Sequence, residues 1–233
     1  MKKVYLVCIY TITAFCIILG TIINVLGNFR IGDWTWEISN ELLERKECEI
    51  EGVSDDVSIT IDSQIGDIKV KRGDKFHVSY GTGSKLTTSV ESDESTIKIT
   101  QTKIKNNLRF GDIKGTADII LTVPADAKIE KLDIDNALGD IDVQDITFED
   151  CTVDENLGDV KFDNCTFTNL DVSNDLGDIV IASCGDFKDY DIDADVSLGS
   201  ISFFGANHDD SYECDGTKGS LTLDDSLGDI IIK

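Results

Sequence analysis

The chain has 233 residues and a formal net charge of −24 at pH 7, from 45 Asp and Glu against 21 Lys and Arg. The charge is concentrated in the second half, because residues 115–233 carry 29 acidic side chains against 6 lysines and no arginine. Such a surface repels nucleic acid and other anionic polymers, so nucleic-acid binding is excluded as the function.

The N-terminal 30 residues have the pattern of a membrane anchor. An uncharged, mostly apolar run extends from Val4 to Gly27 behind Lys2 and Lys3. As a helix this run would reach roughly 36 Å, enough to cross a hydrocarbon core of about 30 Å. A cleaved secretion signal is the alternative, but its apolar run is usually about 7–15 residues long and a small-x-small site follows it. We therefore expect residues 1–30 to form a cytoplasmic stub and a single membrane span in the cell membrane, with the C-terminal domain outside the cell.

Two further segments precede the regular part of the chain. The helical spacing of Trp34, Ile38 and Leu42 predicts a short juxtamembrane helix over 33–47, within a linker that spans 31–47. Residues 48–124 alternate apolar and polar side chains, which is typical of strands. Strands are predicted at 57–61, 68–70, 76–80, 96–100 and 117–123, with a loop at 81–95 and the chain's single proline closing the region.

A Leu-Gly-Asp-Ile motif or a close variant recurs seven times, beginning at residues 65, 110, 138, 157, 176, 198 and 227. The turns at 132–150, 151–169 and 170–188 align without gaps and place apolar residues in shared columns, among them Leu138, Leu157 and Leu176. A coil of this length has no interior until neighbouring coils stack on it. The fold class is therefore predicted to be all-β, with a parallel β-solenoid of the right-handed β-helix type over residues 125–233.

The repeated Gly-Asp pair suggests two roles. Glycine permits a tight bend, and the aspartate can cap freed backbone N–H groups, so the first interpretation is a corner-forming device. Stacking places Asp140, Asp159 and Asp178 in one file, with Asp229 expected two turns further on. Unit charges about 4.8 Å apart repel by roughly 0.9 kcal/mol in water. Solvated rotamers, hydrogen bonds to the turn, protonation or a bound divalent cation could relieve this repulsion. A Ca²⁺ site at the first three aspartates is therefore the second interpretation.

Amide side chains precede each corner glycine by two or three residues, at Asn136, Asn156 and Asn174. They could add oxygen ligands to such a site or form an amide ladder of their own.

The cysteines and histidines predict no further site. Four cysteines of the array fall at apolar positions and are expected to be buried thiols, with a Cys165–Cys184 disulfide as the alternative. His77 and His208 are far apart in the sequence, so we expect structural histidines rather than a metal pair.

The apolar N-terminal run, the segment TVPADAKIEKLDI at 122–134 and the xxLGDI corner at roughly 20-residue spacing resemble a known bacterial family. It is the family of adhesin-like β-strand repeat proteins with a DUF4097-type domain, and the resemblance covers about residues 48–233. It implies an extracytoplasmic solenoid of the bacterial cell envelope, linked to adhesion or envelope-stress sensing, with no catalytic residue. The chain departs from the pattern at Ser200 and in a longer loop at 205–213.

An enzyme is the least favoured class of function. A polysaccharide lyase on a β-helix needs a base, usually Arg or Lys, beside its acids, whereas the array has no arginine and only scattered lysines. A hydrolase needs only two carboxylates, but an array with 29 acidic residues will hold a pair at a suitable distance by chance, so such a pair is poor evidence. We therefore predict no catalytic residue and no cofactor other than the optional Ca²⁺. The predicted function is an adhesin or a module that binds an envelope ligand or partner. The alternative is a regulatory or envelope-stress sensing accessory protein that acts through a membrane partner.

The expected partners are the membrane, through the anchor, and a protein or glycan at the cell surface. A glycan would need aromatic platforms, for which Phe203, Phe204, Tyr190 and Tyr212 are the candidates. Self-association through the C-terminal coil is also expected, because the chain stops at LGDIIIK without a polar capping element.

Overall fold

The computed structural model describes residues 41–54, 56–103, 113–114 and 116–233, with the backbone alone for 41–42 and 113–114. These residues belong to the compact unit Asn40–Lys233. Their regular structure is entirely β, with no α-helix in the described ranges. Accordingly, no helix suited to crossing a membrane is found in this part of the chain. The predicted span at 1–30 and the first part of the helix predicted at 33–47, with Trp34, lie outside the described residues.

Twenty-one strands make up the described fold. They are β1 (Glu41–Leu42), β2 (Glu44–Glu49), β3 (Asp56–Ser63), β4 (Ile68–Gly73), β5 (His77–Thr82), β6 (Leu86–Ser92), β7 (Thr96–Lys103), β8 (Ile113–Lys114), β9 (Ile119–Pro124), β10 (Lys128–Asn136), β11 (Ile141–Gln144), β12 (Phe148–Glu155), β13 (Val160–Asp163), β14 (Asn169–Asn174), β15 (Ile179–Ala182), β16 (Asp191–Val196), β17 (Ile201–Phe203), β18 (Ala206–His208), β19 (Ser211–Cys214), β20 (Ser220–Asp225) and β21 (Ile230–Ile232).

Nineteen of these strands form two large sheets that enclose the main core, and β1 and β8 form a two-stranded parallel sheet. One sheet has the order β19-β16-β20-β14-β12-β10-β3-β7-β6, and the other has the order β18-β17-β21-β15-β13-β11-β4-β9-β5-β2. Each coil places one strand in each sheet, and the Leu-Gly-Asp corner joins the two strands. Pairing is parallel through the middle of both sheets and antiparallel at their ends. The all-β, parallel, solenoid-like fold is therefore confirmed for the described residues, whereas the right-handed winding stays a prediction.

The columns predicted from the 19-residue repeat are in register. Leu132 pairs with Cys151, which pairs with Leu170, and all three are buried. Because alternate residues of a strand point to opposite faces, each coil contributes one inward apolar row to the core and one outward polar row. Phenyl rings add a second stack, in which the rings of Phe148 and Phe167 lie 5.5 Å apart and nearly parallel.

The order of the last coils differs from the order of the sequence. The final coil, β20 and β21, lies between the coil of β14 and β15 and the coil of β16 and β17. Asp229 is therefore the direct neighbour of Asp178 and does not lie two turns beyond it. The end of the solenoid is the coil of β16 and β17, which the antiparallel strands β18 and β19 extend. The expectation of an open edge at the C-terminal coil is wrong, because that coil is paired on both sides.

Two predictions in the N-terminal part are also wrong. The helix predicted over 33–47 is replaced in its described part by β1 and β2, of which β2 pairs antiparallel with β5 at the edge of a sheet. There the backbone gains ladder hydrogen bonds, and Arg45 Nε donates to Ser79 Oγ at 2.8 Å. The loop predicted at 81–95 contains β6, a hairpin partner of β7 whose Leu86 and Thr88 are buried.

The solenoid also begins earlier than the sequence suggested. The coil of β3 and β4 pairs with β10 and β11, so both sheets continue across Pro124 and the strands on its two sides share one core.

Candidate functional site

The corner aspartates form one continuous line along the solenoid. We call Asp67, Asp140, Asp159, Asp178 and Asp229 the outer aspartate file, in their order along the stack. Each carboxylate accepts, through Oδ1, the backbone N–H of the corner residue in the next coil, at 3.1, 3.0, 2.9, 2.9 and 2.8 Å in turn. Ser200 ends the file, and its backbone N–H is the last donor. Hydrogen bonds to the turn thus offset the repulsion between stacked charges, which supports the corner-forming interpretation.

The structure brings together the three predicted metal ligands, but their carboxylates bind backbone N–H groups of the corners. Asp140, Asp159 and Asp178 are neighbours in the file, and each has one oxygen bound to a backbone N–H. Within the described ranges, no group of three or more His, Cys, Asp or Glu side chains is arranged to hold a metal ion. The Ca²⁺ site remains a prediction.

The corner requires glycine because consecutive coils approach each other closely there. Gly139 has a φ of +134°. A Cβ at this position would overlap the carbonyl group of Gly66 in the neighbouring coil and lie 3.0 Å from the backbone nitrogen of Asp67. A side chain would therefore separate the coils at the point where the aspartate hydrogen bonds form.

The corner leucines form a second line beside the aspartates. We call Leu138, Leu157, Leu176, Leu227 and Leu198 the leucine file, again in stacking order. Leu157, Leu176 and Leu227 are 46%, 44% and 47% exposed, and Leu198 is 69% exposed. The backbone N–H of each corner glycine donates to the leucine carbonyl of the next coil, which keeps the file in register. The apolar column predicted for Leu138, Leu157 and Leu176 is correct in its register, but none of the three belongs to the buried core: Leu157 and Leu176 are exposed and Leu138 is half-buried.

A third line lies inside the corner and is almost completely buried. We call Ser63, Asn136, Glu155, Asn174 and Asp225 the inner polar file. They are between 0% and 3% exposed. Glu155, and not the exposed Asn156, lies at the inward position, so the predicted amide ladder is wrong, and after Ser63 the file alternates between amides and acids. A sequence pattern could have predicted this file. The residue three positions before the corner glycine is polar in the five coils of the file and apolar, Val196, in the coil at the end of the solenoid.

Hydrogen bonds hold the first half of the inner polar file. Asn136 Nδ2 donates to Glu155 Oε2 at 2.8 Å and to the carbonyl of Gly139 at 3.0 Å. The other oxygen of Glu155 accepts the backbone N–H of Leu157 at 2.9 Å. Burial raises the pKa of Glu155 to about 7, and the nearby charge of Asp140 adds to the effect.

The second half of the inner polar file is less completely bonded. Asp225 Oδ1 accepts the backbone N–H of Leu227 at 3.0 Å. Asp225 Oδ2 and the Oδ1 of its in-register neighbour Asn174 have no hydrogen-bond partner among the described residues, whereas in the first half only Asn136 Oδ1 lacks one. Burial, together with the charges of Asp178 and Asp229, raises the pKa of Asp225 to about 6.

The remaining predicted groups do not form a reactive centre in the described part of the chain. Cys165 and Cys184 are free thiols in adjacent coils, and the Cys165 backbone N–H donates to Cys184 Sγ at 3.3 Å. The hydrogen bond with Cys184 and burial together raise the pKa of the Cys165 thiol. His77 and His208 lie on β5 and β18, toward opposite ends of one sheet.

The aromatic candidates pack against one another and the core. Tyr190 is buried, and its hydroxyl donates to the carbonyl of Phe167 at 2.5 Å. The rings of Phe203 and Tyr212 stack with centroids 4.7 Å apart, and Phe204 meets the ring of Phe203 edge-on. Of the four, only Phe204 is largely exposed, at 47%. These rings close the end of the solenoid rather than form a flat platform for a sugar.

Comparison with known proteins identifies the class to which this solenoid belongs. The model of the Toastrack DUF4097 family matches residues 57–232, which is well over half of the chain. The chain belongs to this family. No curated protein matches its sequence.

Solved structures agree with this assignment at the level of the fold. A "putative cell adhesion protein" from Clostridium sporogenes ATCC 15579 superposes with a TM-score of 0.62 at 10% identity, covering 82% of this chain and 99% of that one. A "putative adhesin" from Bacteroides fragilis NCTC 9343 has a TM-score of 0.32 at 12% identity, covering 82% and 97% of the two chains. At these identities the first structure supports the shared fold, and the second carries no further argument.

Proposed function

We propose that the protein is a membrane-anchored, extracytoplasmic binding module of the bacterial cell envelope, of the adhesin type and without catalytic activity. The observation that carries this proposal is the exposed corner of the solenoid. There the leucine file and the outer aspartate file run side by side across the four coils that contribute a residue to both. A solvent-exposed line of large aliphatic side chains is typical of an interaction surface. The similar fold of the clostridial protein named for cell adhesion supports the same class.

The chemistry of the corner favours a protein partner over a glycan. Sugars bind through exposed aromatic faces, whereas the candidate rings of this chain are mostly packed at the end of the solenoid. Leucine side chains bind the apolar side chains of another protein well. The same corner could serve a second function, in which the chain is an accessory subunit that regulates or senses envelope stress through a membrane protein.

Crosslinking in living cells tests the proposed function. A photoreactive amino acid is placed in the full-length protein at Leu176 in the leucine file, and separately at Asp171, which is exposed on the nine-stranded sheet. We expect a discrete crosslinked product from Leu176 and none from Asp171. The absence of any product from either position, on intact cells that carry the protein, would argue against a binding module. Digestion of a C-terminal epitope by protease added outside intact cells tests the proposed orientation at the same time.

A further inference from the structure

The leucine file holds most of the exposed large apolar side chains in the described residues. Four of its five leucines are among the five large hydrophobic side chains that are exposed there. We propose that this file, together with the outer aspartate file, is the docking surface for one basic amphipathic α-helix of a protein partner. This inference rests on the proposed function and specifies the chemistry of its partner.

The chain itself covers one end of the line with apolar side chains. Ile65 occupies the corner position in the coil before Leu138, and it packs against Leu43, Leu86 and Ala117. These three residues are buried. In four of the other five coils the corner leucine is exposed, and Leu138, next to Ile65 in the stack, is half-buried. The apolar contacts at Ile65 therefore indicate what kind of group the exposed leucines can accept.

The spacing of the leucines favours a helix over a strand as the occupant. Stacked coils repeat at about 4.8 Å, so five leucines span about 19 Å. One face of an α-helix presents a side chain at about every 5.4 Å, whereas one face of a strand presents a side chain at about every 6.7 Å. Over four steps the helix deviates from the file by about 2.4 Å and the strand by about 7.6 Å. A helix of about 15 residues therefore meets every leucine with one apolar row.

The charge next to the leucines requires that the helix be basic. Each aspartate of the outer file uses Oδ1 for a backbone N–H, which leaves Oδ2 as an acceptor. None of these five aspartates forms an ion pair with a Lys or Arg of the described residues. Lysines or arginines on the flank of the helix would complement this line of charge. A second copy of the chain, with a net charge of −24, and an anionic membrane surface would both be repelled.

Two synthetic peptides of identical composition test the inference. The first is a 16-residue helix with leucines at positions i, i+4, i+7 and i+11 and lysines along one flank of that row. The second has the same residues in an order that removes the apolar row. We expect the full-length protein, in a nonionic detergent, to bind the first peptide at least ten times more tightly than the second. Fluorescence anisotropy of the labelled peptides measures both dissociation constants.

Variants of the protein separate the apolar contribution from the charge contribution. Replacing Leu157, Leu176 and Leu227 by Ser changes only exposed side chains, and we expect it to weaken binding of the first peptide at least tenfold. Asp159→Asn with Asp178→Asn keeps an Oδ1 acceptor for the backbone but removes two charges. We expect this pair to weaken binding about three- to tenfold and to reduce its salt dependence. Melting temperatures close to that of the wild type show that each variant is folded.

Three outcomes would overturn the inference. They are equal binding of the two peptides, unchanged binding by the leucine variant, or dimers of the protein that the leucine variant abolishes. The comparison of the two peptides on the wild type needs no variant and so decides the question even if a variant fails to fold. Crosslinks in cells from Leu176 combined with a failure of the peptide test would overturn the helical partner but leave the proposed binding function intact.

Discussion

The outer aspartate file and the inner polar file run side by side through the same corners, but they handle polar groups in opposite ways. The outer file repeats one charged residue in five coils, at positions that water reaches. The inner file is buried and alternates Asn136, Glu155, Asn174 and Asp225, so that no two acids are direct neighbours. Stacked like charges cost little in water and much more in a low dielectric. A solenoid can therefore repeat a charge where solvent screens it but must interleave neutral donors where solvent is excluded.

Both files depend on the close approach of the coils at the glycine corner, so breaking that approach should have the largest effect. Gly139→Ala introduces a Cβ that overlaps the Gly66 carbonyl. We expect a loss of about 3 kcal/mol or more in the free energy of unfolding, measured by urea denaturation. Gly185→Ala is the matched control, because Gly185 has nearly the same φ, +133°, but no atom within 4 Å of an added Cβ. Its loss should reflect backbone strain alone, about 1–2 kcal/mol. Equal losses for the two variants would show that strain, and not crowding between coils, accounts for the glycine.

Neutral isosteres in the inner polar file should have effects of opposite sign. Asp225→Asn supplies an N–H₂ group beside the unpartnered Oδ1 of Asn174 and removes a buried charge. We expect it to raise the free energy of unfolding at pH 7.5 by about 1 kcal/mol. Glu155→Gln replaces the oxygen Oε2, which accepts from Asn136 Nδ2, by an N–H₂ group, so that two donors face each other. We expect this variant to lower the free energy of unfolding by about 1–2 kcal/mol. Chemical denaturation of the two variants beside the wild type measures both values. Losses of similar size in both variants would contradict the distinction between the two acids.

The inner polar file should also make the protein more stable in mild acid than at neutral pH. The folded-state pKa values of Glu155 and Asp225 are raised to about 7 and about 6. For each group the folded state holds a proton more tightly than the unfolded state. The stabilisation is therefore complete below pH about 4 and is lost as the pH rises through 6 and 7. We expect a decrease of about 1–2 kcal/mol per group between pH 4 and pH 7.5.

A pH series of urea denaturation curves measures this decrease, and the matched control is Asp225→Asn. The lowered pKa values of Asp93, from the backbone N–H of Ser95, and of Asp186, from its hydrogen bond with Lys188, act in the opposite direction at exposed sites. Relief of the general negative charge is common to the wild type and the variant. An identical pH slope in the wild type and in Asp225→Asn would therefore exclude Asp225 as a source of the effect.

The sequence predicted the register of the coils because the repeat has no gaps there. Residues 19 apart, such as Val143 and Phe162, are direct partners in neighbouring strands. The sequence order could not predict where the last coil inserts, because the unpaired edge of any coil presents a similar row of backbone N–H and C=O groups to a neighbour. The residues at the positions of the inner polar file and the outer aspartate file do indicate the order of the coils. The coil of β16 and β17 has Val196 at the inner position and Ser200 at the outer one, as suits the end of both files, whereas the last coil keeps Asp225 and Asp229.

The surface position of the leucines could not be derived from alternation along the strands. Leu138 lies two residues after the buried Asn136, so a strand would point both side chains inward, but the chain turns between them at the corner. The helix predicted at 33–47 failed for a different reason. The spacing of apolar residues indicates only the local preference of a segment for a helix. At the edge of the sheet, β2 instead forms backbone hydrogen bonds with β5, a partner that is distant in the sequence.

The contrast between the two files predicts only a small effect for a neutral isostere in the outer one. Asp159→Asn keeps an Oδ1 that accepts the backbone N–H of Asp178, and we expect a change within about 0.5 kcal/mol in the free energy of unfolding. Asp159→Ala removes the acceptor, and we expect a loss of about 1 kcal/mol. Urea denaturation of both variants tests whether the acceptor matters more than the charge. A larger effect for Asn than for Ala would reverse that order.

Calcium provides the last and smallest test, because it asks whether the outer aspartate file has a second role. One oxygen of each of the carboxylates of Asp140, Asp159 and Asp178 is already bound to a backbone N–H of a corner. If these hydrogen bonds are the role of the three aspartates, a bound cation adds no stability to the fold. We then expect the same melting temperature in a chelator as in millimolar Ca²⁺, beyond a small general effect of charge screening. Mg²⁺ at equal concentration is the control for screening, because it prefers about six ligands in near-ideal octahedral geometry and keeps several of its waters. A melting temperature that rises with Ca²⁺ but not with Mg²⁺, and that no longer rises in Asp159→Asn, would show that the stacked corners also hold a cation.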